Sequence, residues 1–248
     1  MGILNVTPDS FSDGGQWNRK DFALKHAFDM IDQGADIIDV GAESTRPGCQ
    51  PISADEEWTR LKDVLSELIP SVSVPISVDT MKAEVAEKSI KAGAGMINDV
   101  NGFRGERMFE VCAESDVDIV ISHMYGSYEE MHKITMGDGY REQIKSFLDG
   151  QIESARSFGI DDGRIIVDPG IGFGKTPEQN MELARDSSFL GHDHRILIGV
   201  SRKRFVRQHY PDTDVDEASA IVAKMAADSG ADIIRVHDVR STISVLRS

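Results

Sequence analysis

Asp39, Asn98 and Arg235 occupy the same slot of one recurring phrase. Gly34-Ala35-Asp36-Ile37-Ile38-Asp39-Val40 returns as Gly93-Ala94-Gly95-Met96-Ile97-Asn98-Asp99-Val100 and again as Gly230-Ala231-Asp232-Ile233-Ile234-Arg235-Val236. A strand cassette repeated with a different polar residue at its end builds one site from several strands. Asn5, Asp79, His123, Asp168, Ser201 to Lys203 and His237 stand at the ends of comparable apolar runs. A strand-end Asp or Asn often only caps the next helix, and Thr80 and Asp99 are best placed for that. The number of polar groups that would converge on one face argues against a purely structural reading of them all.

Specific chemistry follows from residue type and spacing. Arg235 and His237, two residues apart, could grip a phosphate group, the guanidinium as a fork and the imidazole as a donor. Ser201-Arg202-Lys203-Arg204 follows the seventh apolar run, and cations at a helix start oppose its macrodipole unless an anion or carbonyl-rich ligand offsets them. Asp168-Pro169-Gly170-Ile171-Gly172-Phe173-Gly174-Lys175-Thr176 falls one residue short of a phosphate-binding P-loop, because Pro169 stands where glycine is required. Its alternating glycines suit either a loop pressed against a flat ligand or a tight turn. The polar stretches from Val6 to Gly15, with Phe11 and Asp13, and from Gly41 to Gly48, with Thr45, Arg46 and Pro47, read as lids or as plain solvated loops. His192 and His194 resemble a metal pair but precede a strand, which puts them on the opposite face.

The elements that must position these groups are short buried strands and amphipathic helices. Gly2 to Val6, Pro75 to Asp79, Val117 to Ile121, Ile165 to Asp168 and Ile196 to Val200 join the three cassettes to make eight strands. Ala23, Ala27, Met30 and Ile31 mark one helical stripe between them, and Ala218, Ile221, Val222 and Met225 another. Ser53 with Glu56 forms a capping box, and Pro177 after Thr176 suits a helical first turn. Strands alternating with helices require right-handed crossovers and a parallel sheet. The expected fold is a single (β/α)8 TIM barrel over residues 1–248, with the site at the carboxyl ends of its strands. The first strand begins at Gly2, so no N-terminal lid lies beneath the barrel within this chain.

Bulk composition narrows the partners. A net charge of −15 opposes general affinity for nucleic acid or anionic membrane, so anionic small substrates need local cations. Two cysteines, Cys49 and Cys112, make no disulfide framework, and there is no signal peptide or apolar run of transmembrane length. A cytoplasmic location is expected.

In combination these residues closely resemble the dihydropteroate synthase family. The matching stretches run in order from Gly2 to Gly15, through Ile38 to Gly48, Ser77 to Thr80, Ile97 to Asp99, His123-Met124, Asp168 to Lys175 and Ser201 to Lys203, to Arg235 through Asp238. The resemblance implies a (β/α)8 transferase of folate biosynthesis. It condenses 6-hydroxymethyl-7,8-dihydropterin diphosphate with p-aminobenzoate to give 7,8-dihydropteroate and diphosphate, and it is a sulfonamide target. It further implies that Asp79, Asn98, Met124, Asp168, Phe173, Gly199 and Lys203 bind the pterin. Asn5, Thr45, Arg46, Arg235 and His237 would take the diphosphate, with Mg²⁺ on the Asn5 oxygen. Phe11, Thr45, Pro47, Phe173, Lys203 and Arg204 would form the p-aminobenzoate site. Asp79, Asp168, Lys203, Arg46 and Asp13 would carry catalysis, in which diphosphate leaves before the arylamine captures a pterin methylene cation. A homodimer through the helix around Ala218 to Ala227 is also implied.

Two departures stand out. The family usually has serine after the Ser-Arg-Lys triplet, where this chain has Arg204, and many relatives carry an N-terminal hairpin under the barrel. A minimal gene, a trimmed chain or a module of a fused protein would each lack it. A pterin barrel serving methyl transfer from a folate would share Asp79, Asn98 and Asp168 but has no use for Phe11, Asp13, Arg46 or Lys203. A non-catalytic pterin-binding paralogue would be expected to lose Asn5 or Lys203, and both are retained.

Overall fold

The three cassettes fold alike, and the cause is local. Each begins where a helix ends, after Asp32, Lys91 or Asp228, and its glycine takes φ of +101°, +103° or +103°. Gly34, Gly93 and Gly230 donate their N–H to the carbonyls of Ile31, Ile90 and Ala227, and the following alanines donate to Met30, Ser89 and Ala226. This is the double hydrogen bond of a Schellman cap, which satisfies orphan carbonyls and turns the chain into a strand. The same cap recurs at Gly159 and Ile160, outside any cassette.

The computed structural model describes residues 1–7, 19–45, 48–190 and 193–247. Phe11, Asp13, Arg46, Pro47 and His192 lie outside the described residues. Eight parallel strands run in sequence order: β1 (Gly2–Asn5), β2 (Ile38–Gly41), β3 (Ile76–Asp79), β4 (Met96–Asp99), β5 (Asp118–Ser122), β6 (Ile165–Asp168), β7 (Arg195–Gly199) and β8 (Ile233–Arg235). Closure comes from Ile3 N–H to the Val236 carbonyl at 2.9 Å and Val236 N–H to the Met1 carbonyl at 3.0 Å. Every strand identified from the sequence is present, with ends shifted by a few residues, as the (β/α)8 barrel requires.

The helices among the described residues are α1 (Arg19–Asp32), α2 (Ala54–Leu68), α3 (Ala83–Lys91), α4 (Met108–Ala113), α5 (Tyr140–Ser157), α6 (Pro177–Arg185), α7 (Arg204–His209), α8 (Val215–Asp228) and α9 (Val239–Leu246). Thr176 and Gln179 form a complete capping box before α6. Ser53 accepts the Glu56 N–H before α2, but the Glu56 carboxylate turns to Arg60 instead of closing the box.

Two apolar cores result. The larger one lies between strands and helices, with Leu4, Ile38, Leu61, Leu65, Ile97 and Ile119 fully buried. The smaller one fills the barrel floor with Met96, Val120, Ile166, Leu197 and Ile233, against Met1 and Ile37. Two residues further along each of β4, β6, β7 and β8 stand Asn98, Asp168, Gly199 and Arg235. Because strand side chains alternate, these share the inward face and form the layer above that floor.

Gly230→Ala isolates the conformational term of a cassette cap, since an added Cβ would meet nothing within 4 Å. Urea unfolding should show a loss of about 1–2 kcal/mol with unchanged slope, the cost of a left-handed L-residue. An unchanged midpoint would show that the φ of Gly230 is not demanded by the fold.

Candidate active site

The carboxyl ends of the strands surround a cavity of about 590 Å³, within the range of small-molecule sites. Its wall contains Asn5, Asp79, Asn98, Asp168, Gly199 and Arg235 from strand ends, and Thr45, Phe173, Lys203, Arg204 and His237 from the following loops and α7. Parallel register sets the floor level: Asn5 pairs with Gly41, Gly41 with Asp79, and Asp79 with Asn98.

The cassette's variable slots touch one another. Arg235 donates through Nε to Asp39 Oδ2 at 2.6 Å and through one Nη to Asp79 Oδ2 at 2.8 Å. Asn98 donates its amide N–H to the same Asp39 oxygen at 3.2 Å, leaving Asn98 Oδ1 buried without a partner among the described residues. Burial pushes the Asp79 carboxyl up, Arg235 opposes this, and the Asp39 carboxylate adds to it. The guanidinium read from sequence as a phosphate grip therefore also neutralises the floor.

A second centre is Asp168 with the glycine loop. Asp168 accepts Gly170 N–H at 2.6 Å and the Ser122 hydroxyl at 3.3 Å, and burial raises its carboxyl while the Gly170 bond and Lys203 hold it down. Gly170, Gly172 and Gly174 all have positive φ. Their lack of side chains is also steric: an added Cβ would lie 1.6 Å from the His123 carbonyl oxygen, 2.8 Å from Lys203 Cδ or 2.6 Å from Tyr125 Cβ. The loop wraps the buried Lys175, whose ammonium donates to the Gly170 carbonyl at 2.9 Å, the Phe173 carbonyl at 3.0 Å and His123 Nδ1 at 3.0 Å. Burial, with Lys175 and Arg104 nearby, pushes His123 down to about 2. Burial and these neighbouring cations therefore favour the neutral imidazole at His123. The tight-turn reading of this loop holds at Lys175, and the flat-ligand reading concerns the exposed side of Phe173.

Lys203 occupies the position just before α7, and its side chain makes no capping bond there. Its ammonium donates to the Ile171 carbonyl and lies 4.2 Å from the centre of the Phe173 ring. Arg202 next to it adopts φ of +58° and pairs its guanidinium with the Asp216 carboxylate at 2.6 and 2.9 Å. Arg204 is exposed on the cavity rim.

The loop after β2 is held at its base by neighbours the sequence did not single out. Glu43 accepts Ile52 N–H and the Lys82 ammonium, each at 2.8 Å, and Lys82 also pairs with the buried Glu57 at 2.6 Å. Tyr128 donates to the Ser44 carbonyl at 2.6 Å, and His132 Nε2 lies 2.7 Å from that of Thr45.

Sequence reasoning located the strand-end groups because strand ends are visible in hydrophobic pattern. It missed the β5 loop, where Met131, His132 and Thr135 line the cavity, because nothing in that stretch is periodic. Met124 is fully buried and does not line the cavity; its carbonyl takes an Arg104 N–H at 2.8 Å. Asp99 and Thr80 are structural, but as turn formers: Asp99 accepts Asn101 and Phe103 N–H at 2.8 Å, and Thr80 accepts Lys82 N–H at 3.2 Å. His194 immediately precedes β7 at the opposite end of the barrel.

Comparison with known proteins adds an independent line. Residues 1–237 match the model of the family described as pterin binding enzyme. The chain is 42% identical over 247 residues to the dihydropteroate synthase of Bacillus subtilis, covering 97% of this chain and 83% of that one. It superposes with a TM-score of 0.92 on the Xanthomonas albilineans dihydropteroate synthase solved with 4-aminobenzoic acid, at 37% identity and covering 99% and 89% of the two chains. The same bacterium's enzyme in complex with 7,8-dihydropteroate gives 0.89 at 34% identity, covering 99% and 90%.

Burial lowers the Lys203 ammonium from its ordinary 10.5 to about 8, against the pull of Asp168. The unfolded chain then holds this proton more tightly than the folded one, so its contribution to stability rises with pH between those two values. Urea unfolding at about pH 7 and about pH 10 should show wild type gaining on Lys203→Met as the pH is raised. A pH-independent difference between the two proteins would mean that Lys203 is hydrated.

Proposed function

The chain belongs to the pterin-binding enzyme family, and we propose that it joins 6-hydroxymethyl-7,8-dihydropterin diphosphate to p-aminobenzoate, yielding 7,8-dihydropteroate and diphosphate. It is a transferase of folate biosynthesis. The observation that carries the reading is one cavity with Asp79, Asn98, Asp168 and Lys203 at its floor and Asn5, Arg235 and His237 beside them.

The floor suits an aminopyrimidinone edge. Asp168 and Asp79 can accept N–H groups, while Lys203 and the Asn98 amide answer a ring carbonyl and nitrogen. Phe173, with the Lys203 ammonium beside its face, offers a flat apolar wall for the ring. Above this floor, Arg235 uses two N–H groups on Asp39 and Asp79. Its remaining donors and the His237 ring serve the diphosphate, in place before negative charge grows on the leaving group. Loss of diphosphate leaves a pterin methylene cation, for which Asp79 and Asp168 are the nearby counter-charges. Phe11, Asp13, Thr45, Arg46 and Pro47 would close the arylamine site and exclude water from that cation.

Among the described residues, no group of three or more His, Cys, Asp or Glu side chains could hold a metal, and Asn5 offers one amide oxygen at the end of β1. That donor set fits Mg²⁺ carried on the diphosphate, since magnesium often takes one or two protein ligands and completes its shell with phosphate and water. When bound, the ion supplies positive charge to the diphosphate oxygens. No helix among the described residues is long and apolar enough to cross a membrane. A cytoplasmic homodimer joined through α8 belongs to the same reading.

Diphosphate release assayed from the pterin diphosphate should require both p-aminobenzoate and Mg²⁺. Release that ignores the arylamine would reduce the protein to a hydrolase and overturn the reading.

Arg204 replaces the family's usual serine at the rim. A guanidinium can pair with the p-aminobenzoate carboxylate, whereas a sulfonamide carries a less concentrated negative group there. Arg204→Ser should raise the KM for p-aminobenzoate by roughly 1.5- to fivefold, in keeping with a wet ion pair. The KM for pterin diphosphate should change little, and sulfonamides should gain relative affinity. Identical aryl-acid constants and identical salt dependence would show Arg204 pointing into solvent.

A further inference from the structure

The register that closes the barrel also decides how His237 holds its proton. Gly199 on β7 pairs with Arg235 on β8, so the residues two further along each chain, Ser201 and His237, are brought side by side. The backbone N–H of His237 donates to Ser201 Oγ at 3.1 Å, and His237 Nδ1 lies 3.0 Å from the same oxygen. Ser201 is buried, with 7% of its surface exposed.

A neutral imidazole carries one proton, on Nδ1 or on Nε2. The Ser201 oxygen already accepts the His237 backbone N–H, and its own hydroxyl proton needs an acceptor. Among the described residues, the acceptor found for that proton is Nδ1. The opposite arrangement, with Nδ1–H donating to Oγ, would leave the hydroxyl proton without a protein acceptor among the described residues, and buried polar groups are normally paired.

We infer that Ser201 is a positioning residue that fixes His237 as its Nε2–H tautomer, so that the ring presents a donor to an anion in the cavity. A lone pair on Nε2 would repel phosphate oxygens, whereas an N–H attracts them. The inference rests on the reading that His237 meets the diphosphate, but the tautomer itself does not depend on it. The next two residues, Arg202 and Lys203, direct their side chains to Asp216 and to the Ile171 carbonyl. Ser201 is the member of the triplet whose side chain faces the histidine.

Long-range ¹⁵N–¹H spectra of the histidine rings in the ligand-free protein read the tautomer directly. Wild type should show His237 protonated on Nε2, and Ser201→Ala should show a mixture of tautomers. Binding of inorganic diphosphate with Mg²⁺, measured by calorimetry, should weaken about three- to tenfold in Ser201→Ala, the loss of one oriented hydrogen bond. Ser201→Thr, which keeps the hydroxyl, should restore both the spectrum and the affinity. Protonation on Nδ1 in wild type, or an Nε2–H ring unchanged in Ser201→Ala, overturns the inference. Unaltered diphosphate affinity in His237→Ala would instead overturn the role of His237 in diphosphate binding, with the tautomer assignment left standing.

Discussion

Arg235 lies between the carboxylates of Asp39 and Asp79 at the mouth of a closed barrel, and its position constrains everything around it. Asp39 is fully buried, and Arg235 and Asp79 are mostly buried at the cavity wall. Buried charges persist only when paired, and removing one partner of such a set typically costs about 3–5 kcal/mol. The pairing therefore holds β2, β3 and β8 at a common height and carries Asn98 with them, through its bond to Asp39. Asp39 and Asp79 share the Arg235 guanidinium, and Asp168 has Lys203 nearby. These pairings gather cations at the strand ends inside a chain whose net charge is −15.

The loop after β6 solves a different problem with the same logic. Its three glycines let the backbone fold around a buried ammonium, so that the carbonyls of Gly170 and Phe173 converge on Lys175. That frees the backbone from needing a ligand to be ordered. It also ties the loop to the one after β5, because Gly174 N–H donates to the Met131 carbonyl at 2.7 Å and Met136 N–H to the Gly174 carbonyl at 3.0 Å. The wall bearing Phe173 is thus built from two crossovers that brace each other, and the Lys203 ammonium seats on it at the Ile171 carbonyl. Rigidity of this kind keeps donors and acceptors placed before a substrate arrives, which is where electrostatic catalysis gains most.

Function divides between this rigid floor and a rim made of loops. Glu43, held by Lys82 and Ile52, anchors the base of the β2 loop, and Tyr128 and His132 hold its next carbonyls.

Much of this was legible in the sequence. Glycine-terminated helices followed by β-branched runs are local events, decided by φ preference and hydrophobic period, so the eight strands and their polar ends could be read directly from residues such as Gly34, Gly93 and Gly230. The strand-end position of Asp79, Asn98, Asp168 and Arg235 followed from that pattern. What the sequence could not decide was which partner each group would choose. Arg235 lies 196 residues from Asp39 and 156 from Asp79, and only closure of the sheet brings them together. The same holds for Ser201 with His237, for Lys175 with His123, and for Arg202, which turns away to Asp216. Chemical type and local conformation are written residue by residue, whereas pairing between distant charges depends on register and burial, which exist only once the barrel has formed.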